Sequence, residues 1–418
     1  MRTSPAIAIK AGLRAAALLA TAAFATPAGA EKSPYALGGY VGYTQLSRPF
    51  GVLEADHVTS LALIASLDQR ISRQRVFGDL RVVRSRYATN DELSYTGYSL
   101  DAGLDWQTAG NLSGELRAKA DRTLLNYSPF EVPTGRRNLV STRQLDAVAR
   151  VGASSKLGFE AGAGLRHLDY SEPAYAQRQL RVGYGAAGVR WRPGPDASFG
   201  LAYRDTRGRY PGFVDATGAA RPDHYNRRDV DLDATVDLSG FTQVYARASA
   251  TRIGYEQQQD LDFAGTTGLL RLTWRPGAKL TLSAEAARDR GSDLQFQFDA
   301  NPAQPGGGSF LQTDARSMAS ATRLRADYAA TAKLSFNAGA SRSRQPAVVQ
   351  SSLPSSRRTE DGTLHTTQYV LGAAWTPTRT SRIGCDWTRD TRRARSSLDS
   401  FDVAYRSFGC YAQLSIEP

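Results

Sequence analysis

From Tyr35 onward the chain runs in segments of about ten residues in which small or apolar side chains alternate with polar or charged ones. The clearest is Val230-Asp231-Leu232-Asp233-Ala234-Thr235-Val236-Asp237-Leu238. Leu112 to Ala120, Leu157 to Leu165, Val244 to Ala250, Leu280 to Ala286 and Leu334 to Ala340 follow the same rule. A period of two sends successive side chains to opposite faces of a strand, so each segment predicts a β-strand with one apolar face.

Alternation alone fits a soluble sandwich as well as a membrane barrel, and the link lengths separate the two. Short links run Arg70 to Gln74, Thr108 to Asn111, Gly152 to Lys156, Pro193 to Asp196, Leu238 to Phe241, Pro276 to Lys279, Thr331 to Lys333 and Pro377 to Ser381. Between them come long polar links, including Tyr127 to Arg137, Arg207 to Asn226, Phe298 to Thr313 and Pro346 to Leu364. Tight turns on one rim and extended loops on the other are the arrangement of transmembrane barrels. The pattern therefore predicts an all-β fold, an antiparallel up-and-down transmembrane β-barrel of about eighteen strands with sixteen as the alternative count. An even count leaves both termini at the short-turn rim. Closure follows from the solvent, because lipid cannot satisfy the backbone amides of an open sheet edge.

Tryptophan placement supports the same reading. Trp106, Trp191, Trp274 and Trp375 each close a strand before a short turn, and Trp387 lies near the start of the strand after the last of those turns. Three sit in a local repeat, Trp191-Arg192-Pro193-Gly194, Trp274-Arg275-Pro276-Gly277 and Trp375-Thr376-Pro377-Thr378. Amphipathic rings at one rim form the girdle expected at a membrane interface; core tryptophans of a soluble β protein have no reason to share a rim.

The first thirty residues are read apart from the fold. Arg2, Lys10 and Arg14 make a basic start, the run Ala15 to Ala25 is largely apolar, and Ala28-Gly29-Ala30 has the form of a cleavage site. That is a secretory signal peptide over residues 1–30, leaving 31–418 as the barrel and placing it in the cell outer membrane. The formal charge of +12 becomes +9 once the three basic residues of the signal, which contains no acid, are removed. Export and the scatter of charge along strands argue against nucleic acid as the partner of this basic chain. Two explanations of the charge stay open, an arginine-rich coding bias and a functional basic lumen.

With the Leu, Val, Ala and Trp series facing outward, the inward series carries Asp79, Asp101, Glu115, Asp146, Glu160, Asp231, Asp233, Glu285 and Asp327 among its acids. Its arginines include Arg81, Arg117, Arg150, Arg166, Arg247, Arg271 and Arg325. These seven are the candidate lumen path, since a planar guanidinium binds a carboxylate or phosphate in two places at once. A ladder of internal ion pairs that stiffens the wall is the alternative use of the same residues.

Cys385 and Cys410 fall on the last two strands, and folding that hairpin about position 397 or 398 sets them opposite each other. Opposed positions of an antiparallel pair lie within disulfide range, so a bond is expected in an oxidising compartment. Four histidines, His57, His167, His224 and His365, read as strand ends or link residues with no triad partner at a recognisable spacing. No Cys/His spacing matches a metal site. The chain thus reads as a non-enzyme without cofactor or metal.

The final hairpin, Asp386-Trp387-Thr388-Arg389 through Tyr405 to Tyr411, together with the Trp-x-Pro turns and strands that start directly after the signal, resembles the outer-membrane barrel encoded in exopolysaccharide biosynthesis operons. It is similar also to the wider group of outer-membrane β-barrels around that family. The resemblance implies a channel or surface protein that exports an anionic polysaccharide, with outer-membrane lipid and periplasmic export machinery as partners. A diffusion porin for small solutes is the alternative, with a lipid-modifying enzyme or a closed structural barrel behind it.

Overall fold

A computed structural model describes residues 33–47, 53–125, 137–215, 218–290, 318–350, 359–395 and 400–416. The signal segment and the link Phe298 to Thr313 lie outside them. The strands are β1 (Tyr35–Leu46), β2 (Asp56–Ile71), β3 (Gln74–Tyr87), β4 (Tyr95–Gln107), β5 (Leu112–Leu124), β6 (Leu139–Val151), β7 (Leu157–Tyr170), β8 (Leu180–Gly194) and β9 (Ala197–Tyr210). They continue as β10 (Asp223–Ser239), β11 (Thr242–Tyr255), β12 (Phe263–Trp274), β13 (Leu280–Arg290), β14 (Met318–Ala329), β15 (Leu334–Gln350), β16 (Thr359–Thr378), β17 (Ser381–Arg395) and β18 (Ser400–Ile416). Each is antiparallel to its sequence neighbours, and β1 also pairs β18, from Leu37 opposite Ile416 to Leu46 opposite Ser407. The sheet is a closed eighteen-stranded barrel with no free edge.

The short-turn rim is built from local chemistry. Ser72 takes a left-handed φ of 58° in the two-residue turn between Ile71 and Gln74, and Gly152 does the same at 72° after β6. Pro193 and Pro377 lack the amide a ladder needs, and the pairing shifts register there, between Trp191 and Gly194 and between Trp375 and Thr378. Two long links are shorter than expected. β9 runs on to Tyr210 and β10 starts at Asp223, while β15 extends to Gln350 and β16 begins at Thr359. Paired backbone continues past the apolar band because the ladder needs only amides and carbonyls, not an apolar face.

The outward face carries exposed Leu63, Leu80, Leu116, Leu165, Leu232, Leu270, Leu324 and Leu371, an apolar band that suits hydrocarbon. Trp191, Trp274 and Trp375 stand exposed at its short-turn margin, and the ring of Trp106 lies over Gly114 on the same face. Trp387 departs from the expected girdle. It is the seventh residue of β17, opposite Leu371 and Phe408, four residues beyond the Trp375–Ile383 pair. At about 3.3 Å per residue that displacement carries it roughly 13 Å along the strand, into the apolar band.

Toward the long-loop end the inner side is packed. Leu168, Leu180, Tyr210, Tyr225, Ile253 and Tyr255 form one buried cluster, and Val58, Tyr87, Leu93, Tyr95 and Leu139 another. Short 3-10 turns at Asp91–Leu93, Pro173–Arg178 and Gln259–Leu261 accompany these links, and Leu93 and Leu261 pack into the clusters. Two inward rings need a bare backbone beside them: a Cβ on Gly208 would strike Tyr225, and one on Gly384 would strike Tyr411. Among the described residues no helix is long and apolar enough to cross a membrane.

Candidate functional site

The inner wall sorts its charges into two kinds. From β7 to β13 two sets of ion pairs are largely withdrawn from solvent. Arg190 on β8 reaches Glu160 at 3.0 Å and Asp233 at 2.9 Å, bridging β7 and β10. Arg204 lies 3.3 Å from Asp229 and 3.5 Å from Asp231. Arg227 holds Asp229 at 2.8 Å and Asp289 at 2.9 Å, and Thr251 donates to Asp229 at 2.6 Å. Removing such groups from water is costly unless each charge is paired and its remaining donors are bonded, and this wall supplies partners on several strands at once.

The second kind of charge is half-exposed. Arg117 grips Asp101 through both carboxylate oxygens, with Nε to Oδ1 at 2.7 Å. Arg150 is 3.7 Å from Glu115, Arg271 is 2.7 Å from Glu285, and Arg325 is bidentate on Asp327 at 2.7 and 2.8 Å. Arg75 bridges Asp68 and Asp105 at 2.7 and 3.6 Å. The arginines of these pairs keep between 33 and 52 % of their side-chain surface open, so water reaches them.

All seven candidate arginines sit on the inward series of their strands. Besides the pairs above, Arg247 lies 3.6 Å from Asp289, Arg81 stacks its guanidinium 4.6 Å from the centroid of Tyr40, and Arg166 lies beside Asp121. Tyr40 in turn stacks on Tyr411 across the β1–β18 seam, with centroids 5.6 Å apart. The structure brings these arginines to one wall but not to one point, and it ties at least five of them to carboxylates. A sequence reading has the strand faces but no means of knowing which acid each arginine meets, and Arg190, Arg204 and Arg227 escaped it altogether. Alternation carried past the apolar segments places them on the inward series, as Arg204 and Tyr203, or Arg227 and Arg228, differ by one position.

Cys385 and Cys410 are directly opposed and bonded, with a Cα separation of 4.0 Å. They face outward, in line with Ile383, Phe408 and Tyr43, so the bond lies on the outer face of the barrel and not in the lumen. All four histidines lie in strands: His57 and His224 stand at strand ends, as the second residues of β2 and β10, while His167 and His365 stand further inside β7 and β16. His57 opens β2 one residue after its start, stacked 5.6 Å from Tyr43; His167 pairs Arg181, His224 pairs Arg209 and His365 pairs Arg344. Each is on the outward series, away from the lumen charges. Among the described residues no group of three His, Cys, Asp or Glu is placed to hold a metal ion.

No protein-family model matches the chain, and no curated protein matches it either. The exopolysaccharide barrel family that the final hairpin resembles is therefore not among the matches. Among solved structures, OccK1 (OpdK) of Pseudomonas aeruginosa is 13% identical, with 91% of this chain and 99% of that chain covered and a TM-score of 0.47. OccK2 (OpdF) of the same organism is 13% identical over 92% and 98% with a TM-score of 0.48, and its OpdQ is 12% identical over 93% and 99% with a TM-score of 0.45. OpdK is described as an outer membrane protein and has been crystallised with vanillate. At this level of likeness nothing about substrate passes to the present chain.

Proposed function

We propose that the protein is an outer-membrane diffusion channel for small hydrophilic solutes. The observation that carries this reading is the set of half-exposed ion pairs on the inner wall, Arg75–Asp68, Arg117–Asp101, Arg150–Glu115, Arg271–Glu285 and Arg325–Asp327. A closed structural barrel gains nothing from leaving such charges open to water, whereas a hydrated path needs a polar wall. An eighteen-stranded barrel is wide enough to enclose water. The packed tyrosines toward the long-loop end then narrow the route and limit the size of what passes.

Export of an anionic polysaccharide, with periplasmic machinery as partner, is the weaker reading of the same wall. A polymer track needs arginines free to pass an acid group along, and here at least five of the seven already hold carboxylates. Planar-bilayer recording of the purified protein tests the proposal. Discrete conductance steps, with ion selectivity that shifts when Arg271 is changed, support it. Absence of conductance under every salt and voltage condition overturns it in favour of a closed barrel. Normal conductance with loss of secreted polymer in a deletion strain would return export to first place.

A further inference from the structure

The outward face divides sharply along the strands. On the short-turn side, from Val82, Leu165, Tyr203, Val230, Leu324 and Ala340 down to the turns, no outward side chain of a described strand is charged. On the long-loop side the same outward series changes to arginine. The register lines them up laterally into two rows. One runs Arg143, His167, Arg181, Arg209, His224 across β6 to β10; the other runs Arg288, Ser320, Arg344, His365, Arg393 across β13 to β17.

Several arginines stand directly opposite another arginine: Arg181 with Arg209, Arg228 with Arg252, and Arg389 with Arg406. Like charges directly opposed across a strand pair are destabilising. Acids are scarce on this stretch of the face. Asp205 serves Arg207 and Arg228, Asp402 serves Arg393, and Glu256 lies 3.0 Å from His224. Among the described residues no carboxylate lies within ion-pair distance of Arg181, Arg209, Arg252, Arg389 or Arg406. The inner wall shows what this chain does when arginine is to be neutralised from within, and the outer wall makes that provision for only some of its arginines.

We propose that this belt is a binding surface for phosphate-bearing lipids of the leaflet at the long-loop rim. The boundary between the uncharged band and the belt is where acyl chains give way to headgroups, so a phosphate there meets guanidinium groups while its chains lie on leucine and alanine. Arginine is suited to the task because its planar fork binds phosphate in two places. Anionic headgroups also remove the repulsion between the opposed pairs. The inference rests on the barrel lying in a membrane and is independent of whether its lumen conducts.

The test uses the full chain folded in neutral detergent, with diphosphoryl lipid A, the same lipid stripped of phosphate, and inorganic phosphate as probes. Native mass spectrometry reads retained lipid, and folding is checked by gel mobility without heating. The expected result is retention of the phosphorylated lipid over the stripped one. Binding should weaken at least about tenfold, as for loss of one charge-assisted hydrogen bond, in Arg181→Gln/Arg209→Gln and in Arg344→Gln/Arg393→Gln. Lysine at the same positions should keep part of it, and Arg117→Gln in the lumen should leave it unchanged. Equal retention of the stripped lipid overturns the proposal without any variant, as does undiminished binding by the folded glutamine pairs. Protection by inorganic phosphate alone assigns the belt to free anions and overturns the lipid reading. Bilayer conductance of the same variants separates this outcome from failure of the channel proposal.

Discussion

Arg227 on β10 and Asp289 on β13 meet at 2.9 Å although β11 and β12 lie between their strands. Both side chains are almost wholly buried, and Arg227 also donates to the carbonyl of Arg290 at 2.6 Å. One guanidinium thereby ties a four-strand arc of the wall together. Asp289→Asn should destabilise the barrel by roughly 1–3 kcal/mol, because buried Arg227 keeps Asp229 but loses its cross-arc partner and Arg247 loses its ion pair. A lower temperature of the heat-induced gel-mobility shift measures this.

Arg271 keeps 52 % of its side-chain surface open beside Glu285. Arg271→Glu replaces a half-exposed cation with a second acid beside Glu285, so permeation should shift toward cations. The reversal potential under a salt gradient reads the shift. It should shrink as ionic strength rises, because screening acts within about 8 Å at physiological salt.

The Cys385–Cys410 bond joins the last two strands beside the β18–β1 seam and closes 25 residues of chain. Cys385→Ser with Cys410→Ser should cost roughly 3 kcal/mol, chiefly by freeing the unfolded chain. Reduction of the wild type should lower the unfolding midpoint by the same amount, with no further effect of reductant on the double variant.

Single-tryptophan variants should report two depths. Trp191, Trp274 and Trp375 stand at the short-turn margin, whereas Trp387 lies among Leu371 and Phe408. Lipids brominated near the headgroup should quench the first three more strongly, and lipids brominated deep in the chain should quench Trp387 more strongly. Equal profiles would contradict the register of β17.

Much of the fold was legible in the chain. The alternation from Val230 to Leu238 assigns Asp231 and Asp233 to one face and Leu232 to the other whatever the neighbours are, and short links alternating with long ones give a meander with an even strand count. Folding the final hairpin about its midpoint opposes Cys385 and Cys410 because antiparallel pairing is a mirror about the turn. Trp387 lies deeper than its distance from the turn in sequence predicts, because the register sets it opposite Leu371.

The strand faces, the charged inner wall and the cysteine pairing were therefore determined by sequence alone, since each depends only on period, turn position and local partners. Which acid each arginine meets was decided by the closed barrel. Arg190 joins Glu160 to Asp233, and Arg227 reaches Asp289, because curvature brings side chains of non-adjacent strands together on the inside. On the outside the same curvature splays them apart, and the lateral rows of arginine exist only through the register that aligns β6 to β10 and β13 to β17.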